Sequence, residues 1–336
     1  MTRVETTRGS AVADDMAARI DQVLEPLLAG ETRCALLDFP NYANVGDSAI
    51  WLGETEWLRR RGVEVVYACD TATYSPRTLR ERIGSGPILL SGGGNFGDFW
   101  VEHQWFRERV IGEFPDNPII QLPQTIHFMD NWGASEARRI FNAHQRLTVL
   151  CRDRQSLDFA RRQFTARSEL CPDMAFALGA IPRARPPDCD VLWLGRTDAE
   201  SRGGALPATG GGIKRMDWLE ETPTELADRN RALRQRLAPD RADPETLNAL
   251  MNTHEPLARE RLMRGCTLLS KGQVVVTDRL HGHILCLLLG MPHVLLDNSY
   301  GKIRGFHETW TRDCPLVCWA SSPTQALESA KTLLQA

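Results

Sequence analysis

Residues 273–297, QVVVTDRLHGHILCLLLGMPHVLLD, decide the fold of this chain. QVVVTD is β-branched and apolar, the composition of a buried strand, and HVLLD is a second such run. Between them, LHGHILCLLLG is apolar at almost every position and stops at Gly290, which reads as a buried helix. Strand, helix, strand is the unit of a parallel sheet covered by helices.

The same alternation runs outward in both directions. Toward the C-terminus follow a glycine-containing loop SYGKIRGF (299–306), a strand PLVCWA (315–320) and a helix SPTQALESAKTLLQ (322–335). Upstream, residues 217–270 read as mostly helical and highly charged, and DVLWLG (190–195) as a strand. The first half alternates as well. Helical spacing over 16–28 leads to strand CALLDF (34–39), a helix over 48–61 and strand VEVVYACD (63–70). SPRTLRERI (75–83) is a helix opened by a Ser-Pro cap, and PILLSGGG (87–94) a strand. A helix over 99–111, strand NPIIQL, helix SEARRIFNAHQ, strand RLTVLC and helix SLDFARRQF complete it. The expected class is α/β, two Rossmann-like domains facing across a cleft. A polar leader covers 1–15, the N-terminal domain 16–182, a proline-rich charged linker 183–189 and the C-terminal domain 190–336. The stretch 196–216, with glycines at 203, 204 and 210–212, reads as a loop over the cleft or a disordered lid.

Composition narrows the function. At 336 residues the chain has the length of two domains, and 42% apolar with 25% charged residues is the balance of an ordinary folded protein. Forty Lys+Arg against 43 Asp+Glu leave a net charge of −3, which argues against a broad basic field for nucleic acid. Lysine occurs only at 214, 271, 302 and 331, so arginine, the residue for bidentate phosphate or carboxylate recognition, dominates the cations. Nine scattered cysteines without a C-x-x-C pair fit a reduced, cytoplasmic protein. The N-terminus lacks a secretory pattern, and the apolar run Ile284–Met291 is far below the roughly 20 residues that span a bilayer.

Ligands of such sheets gather beyond the carboxyl ends of strands. Four places there carry more polar or glycine residues than a connection needs: PNYANVGD (40–47), SGGGN (91–95), PQTIH (123–127) and DRLHGH (278–283). Asp47 is placed to accept a proton from a hydroxyl, while Ser48 serves equally as a helix cap. Glycines 92–94 either let backbone amides approach an anionic or polar ligand or make a tight turn. Gly92, Gly94 and Gly97 also fit G-x-G-x-x-G, but the third-strand position and the Gln that ends IIQLPQ argue against a nicotinamide site. His127 reads as a core histidine or a site residue, and Arg152 with Asp153 as a local ion pair or part of a site. Arg279 and His281 open an apolar helix whose free amides and dipole favour an anion, so a phosphate or carboxylate with an acid or base beside it is expected. His281 and His283 have no Cys or carboxylate at a ligand spacing, and no metal is expected. Trp51, Trp100, Trp105 and Trp132 are either core or sugar-stacking residues.

Together NVGD (44–47), GGGN (92–95), PQTI (123–126), RDRQS (152–156) and DRLHG (278–282), in this order, make the chain resemble the polysaccharide pyruvyl transferases. The resemblance implies a GT-B-like architecture and transfer of the enolpyruvyl carbon of phosphoenolpyruvate to two hydroxyls of a sugar, giving a pyruvate ketal and phosphate. It implies a donor site at Arg152, Arg279 and Lys302 with His281 as acid or phosphate contact. Asp47 is the implied acceptor-side base and His127 a second acid or base, the acid and base roles being interchangeable. Asn44, Gly93, Gly94, Asn95 and Gln124 belong to the substrate-binding motifs. Phosphoenolpyruvate is a substrate, so no cofactor is implied. A lipid-linked sugar acceptor would bring the enzyme to the inner face of the cell membrane without a spanning segment. The rival readings are a GT-B glycosyltransferase using a nucleotide sugar and a non-catalytic carbohydrate-binding scaffold; the latter has no use for Asp47, Arg152, Arg279 and His281 together.

Overall fold

The computed structural model describes residues 3–198, 200, 212–222, 224–237 and 244–335, with side chains from residue 11 onward. The first half runs α1 (Arg3–Leu27), β1 (Arg33–Leu37), α2 (Val45–Arg60), β2 (Glu64–Cys69), α3 (Pro76–Ile83), β3 (Ile88–Leu90), β4 (Gly93–Phe96), α4 (Val101–Glu113), β5 (Ile119–Ile126), α5 (Asn131–Ala143), β6 (Leu147–Cys151), α6 (Arg154–Gln163) and β7 (Arg167–Leu170), then a 3-10 turn Met174–Leu178. The second runs β8 (Cys189–Leu194), β9 (Ile213–Met216), α7 (Glu225–Arg236), α8 (Pro244–Leu269), β10 (Gly272–Thr277), α9 (Leu280–Leu288), β11 (His293–Leu295), α10 (Lys302–Phe306), a π-helical turn His307–Thr311, β12 (Val317–Trp319) and α11 (Pro323–Gln335).

Two sheets result, and every pairing in them is parallel. The first has the order β2-β1-β3-β5-β6-β7 with β4 added on β5, and the second β12-β11-β10-β8-β9. The order reverses beside the first strand of each sheet, which is where α/β sheets open a crevice for ligands. The α/β class with two parallel sheets expected from the alternation is the one found, and it is consistent with the GT-B-like architecture that the resemblance implies.

Local chemistry explains the element starts. Ser75 caps α3 through Thr78 N with Pro76 at the first helical position, and Asp153 caps α6 through Ser156 N. The core is shared between the halves. Ala13, Met16, Ile20 and Leu24 of α1 belong to one buried cluster with Leu280, Ile284 and Leu287 of α9 and Ala49, Ile50 and Leu52 of α2.

Several expectations are corrected. The polar leader is helical from Arg3. The charged stretch 217–270 also reaches the first half: Leu247 joins the core beneath the first sheet, and Asn230 of α7 accepts a hydrogen bond from Asn41 at 3.0 Å. SYGKIRGF is not a loop but contains α10, entered through Gly301 at φ +83°. Residues 213–216, expected in a loop, form edge strand β9; residues 199 and 201–211 of that loop lie outside the described residues. PQTI and SGGGN, expected beyond the ends of their strands, are largely strand themselves: β5 continues to Ile126 with all of its residues buried, and β4 (Gly93–Phe96) pairs beside it.

Candidate active site

A cleft of about 630 Å³ opens between the sheets, a volume typical of small-molecule sites, and both halves of the chain line it. Asp47 and His281 share it, together with Asn44, Gly94, Asn95, Arg152, Arg279 and Lys302.

The N-terminal wall begins at the end of β1. Asp38, the described non-glycine residue with positive φ (+73°), turns the chain there and is buried. Its Oδ1 is 2.8 Å from Nδ1 of His103, one turn into α4. Burial works against a charged imidazole, but the charge and hydrogen bond of Asp38 outweigh it, so His103 titrates above its ordinary range. At the start of α2, Asn44 accepts from Gly46 N at 3.0 Å and donates to Asp47 Oδ2 at 2.8 Å, while the Tyr42 hydroxyl donates to the same oxygen at 2.9 Å. Asp47 is thus oriented by two donors, with its other oxygen 3.6 Å from where a Cβ on Gly93 would sit.

The floor is the glycine strand β4. Gln124, fully buried, donates to Asn95 Oδ1 at 2.8 Å and accepts from Asn95 N at 3.2 Å, and Arg107 holds the same Oδ1 at 2.8 Å. Below it Glu54 accepts from Ser91 Oγ at 2.8 Å and Gly92 N at 2.7 Å; burial pushes its carboxyl up to about 8 despite those bonds. A Cβ on Gly94 would lie 2.8 Å from Arg152 Nη2 and 3.2 Å from Lys302 Nζ. Only glycine leaves room here for both cations to approach the strand so closely.

The remaining wall collects positive charge. Arg152 is buried and bonded to Asp173 Oδ2 at 2.6 Å, with its Nε donating to Thr125 at 2.9 Å. Arg279 meets Asp217 at 2.7 Å and Asp198 at 3.4 Å, and lies 5.7 Å from the ring centre of Trp218. Lys302 meets Glu200 at 2.8 Å, and Arg196 meets Asp198 at 2.8 Å and Glu200 at 3.1 Å. His281 Nε2 is 3.4 Å from Asp173 Oδ2, within ion-pair reach but without hydrogen-bond geometry, so this buried nitrogen has no hydrogen-bond partner among the described residues. Burial would raise the Asp173 carboxyl, but His281 and Arg152 outweigh it and hold it well below the carboxylate range. Burial likewise opposes ionised Glu200, and Lys302 with Arg196 bring it down to about 2. Each cation therefore faces a carboxylate that an incoming anion must displace or share.

Not every expected residue enters the cleft. Gln124 lies beneath its floor as a support for Asn95. His127 is not among the cleft-lining residues: it sits in a small adjoining cavity with Thr125, Asp153 and Lys302, its ring stacked 4.5 Å from that of Tyr300. His283 points away from the cleft, bonded to His293 at 2.6 Å and Thr311 at 2.9 Å. Trp51 is core, 5.0 Å from Phe39 in an edge contact. Conversely, Asp38, His103, Asp173, Arg196, Asp198, Glu200 and Asp217 were not picked out from the sequence. The rule of looking just past strand ends finds Asp38 after β1, Asp173 after β7, Arg196 after β8 and Asp217 after β9; His103 carries no local signal. Among the described residues no group of three or more His, Cys, Asp or Glu is arranged to hold a metal ion.

The chain as a whole matches a known family. A family model for polysaccharide pyruvyl transferase matches residues 44–300, and the chain belongs to that family. It is 34% identical over 300 residues to pyruvyl transferase 1 of Schizosaccharomyces pombe, covering 86% of this chain and 72% of that one. It is 27% identical over 318 residues to general stress protein 30 of Bacillus subtilis, covering 91% and 85%. A crystal structure from Klebsiella pneumoniae subsp. pneumoniae shares the fold at a TM-score of 0.60 with 20% identity, over 92% of this chain and 99% of that one. The coarse activity that goes with the family is pyruvyl transfer in polysaccharide synthesis.

Proposed function

We propose that the cleft binds phosphoenolpyruvate against Arg152, Arg279, Lys302 and Arg196, and a sugar diol against Asp47 and His103, and that it forms a cyclic pyruvate ketal with release of phosphate. The observation that carries this reading is the shared cleft. Cations from both halves converge there, with a carboxylate and a histidine on the opposite wall. The donor is a small polyanion, and bidentate guanidiniums in a confined space are what such a ligand requires.

The residues divide the chemistry as follows. An acid on the donor side, His281, protonates the methylene carbon, which makes C2 electrophilic. A sugar hydroxyl adds to C2 while Asp47 takes its proton. Phosphate leaves against the guanidiniums, and the second hydroxyl closes the ring. Of the two acceptor protons, one is balanced by the new methyl hydrogen and the other departs with phosphate. The second acid or base, assigned to His127 from the motif, passes to His103, which lines the cleft and is held by Asp38. The acceptor is a cell-surface polysaccharide or its lipid-linked precursor, met at the cytoplasmic membrane face. No described helix is long and apolar enough to cross a membrane.

Incubation with phosphoenolpyruvate and a panel of galactosides, glucosides and mannosamine derivatives tests the reading. Phosphate release coupled to a sugar mass gain of about 70 Da is expected. Phosphate release with no change in sugar mass, or nucleotide release from a sugar nucleotide instead, overturns it.

A further inference from the structure

Apart from Met263 on α8, the exposed large apolar side chains among the described residues are Tyr42, Trp100, Val101, Trp105, Met129 and Trp132. Tyr42, Trp100 and Val101 line the cleft and form its lip, and the other three lie on α4 and around the start of α5. Trp105, 64% exposed, follows Val101 by one turn of α4 and so continues its face outward. Met129 and Trp132, the latter 74% exposed, are tied to the same place: Met129 N and Asp130 N donate to Asp98 at 2.6 and 3.1 Å, just before Trp100. Asp130 in turn caps α5 through Trp132 N and Gly133 N, both at 2.9 Å. The strip is anchored, so the rings are presented on fixed backbone.

Aromatic faces set among carboxylates suit sugar rings, whose C–H faces stack and whose hydroxyls donate to oxygen. An anionic membrane surface calls for clustered lysine and arginine instead. Here the lip carries Asp98, Glu102 and Asp130; Arg109 and Arg139 of the same helices are paired to Glu113 and Glu136 at 2.9 and 2.5 Å, and Arg138 lies almost two turns beyond Trp132.

We propose that this lip is a glycan track. Trp100, Trp105 and Trp132 hold neutral saccharide units of the acceptor beyond the unit being modified, and the chain leaves the cleft over the starts of α4 and α5. The proposal rests on the cleft being the transfer site, and it places acceptor recognition on the N-terminal half.

The test compares wild type with the Trp105→Ala, Trp132→Ala double variant, both positions being exposed. Neutral gluco- and galacto-oligosaccharides, from disaccharide to hexasaccharide, serve as probes, read as kcat/KM with phosphoenolpyruvate and as direct binding by calorimetry without it. In wild type the longer probes are favoured, and the variant loses that gain, by roughly three- to tenfold per ring. A length dependence that survives in the variant, or its absence in wild type, overturns the track. So does a variant defect confined to co-sedimentation with phosphatidylglycerol vesicles. If no probe is pyruvylated but long probes bind wild type and not the variant, the transfer reading fails and the track stands.

Discussion

Gly46 and His281 are in direct contact across the two halves of the molecule: a Cβ on Gly46 would lie 2.1 Å from His281 Nδ1. The first turn of α2, which carries Asp47, thereby packs against the first turn of α9, which carries His281. NVGD and DRLHG are distant in sequence, yet each needs the other's small or planar residue to close the cleft.

Gly46→Ala therefore displaces His281 or the start of α2. The expected result is a drop in kcat of at least about tenfold with a stability loss of about 1–3 kcal/mol, measured by steady-state kinetics and thermal unfolding. Wild-type kinetics would show that the contact has no bearing on turnover.

Arg279→Ala and His281→Ala remove a charge-assisted donor contact and the proposed acid. At about 1.5–3 kcal/mol per contact, a loss of one to two orders of magnitude in turnover is expected for each, with circular dichroism unchanged. Arg279→Ala is expected to act on the KM for phosphoenolpyruvate and His281→Ala on kcat.

Asp217→Asn frees Arg279 from a carboxylate 2.7 Å away that competes with the donor's anions. The KM for phosphoenolpyruvate is expected to fall, by up to about tenfold. A raised KM would mean that Asp217 positions the guanidinium rather than competing for it.

Asp173 ties Arg152 to the site, and its carboxyl is held down in the fold. A depressed carboxyl contributes stability above its unfolded pKa of about 3.9, and that stability disappears as pH falls through and below this value. Asp173→Asn should flatten the acid limb of the Tm profile. It should also lower Tm at neutral pH, because it leaves Arg152 buried without its counter-ion.

Glu54 has the opposite sign. Its carboxyl is pushed up to about 8, so its protonated form belongs to the fold, and stability is lost as pH rises from about 4.3 toward 8. Gln at this position can accept from Gly92 N and donate to Ser91 Oγ, so Glu54→Gln should raise Tm at pH near 8 relative to pH near 5, by about 2 kcal/mol of stability. An unchanged pH slope would place the titration elsewhere.

The periodic apolar runs determined α/β class and the position of nine of the twelve described strands, because burial of a whole strand or helix face shows in local spacing; β4, β7 and β9 escaped them. Residues just past strand ends marked Asp47, Arg152, Arg279 and His281 for the same reason, since the turn from strand to helix is a local event. Tertiary structure alone chose among the histidines. His103 lines the cleft because α4 aims it at Asp38, and His127 stands aside because β4 and β5 pair and carry it past the cleft. It alone placed Asp173 between Arg152 and His281, gave each cation its carboxylate, and laid α7 and α8 over the first sheet. Those are contacts between residues far apart in the chain, set by how two sheets and their helices pack, and no spacing along the sequence records them.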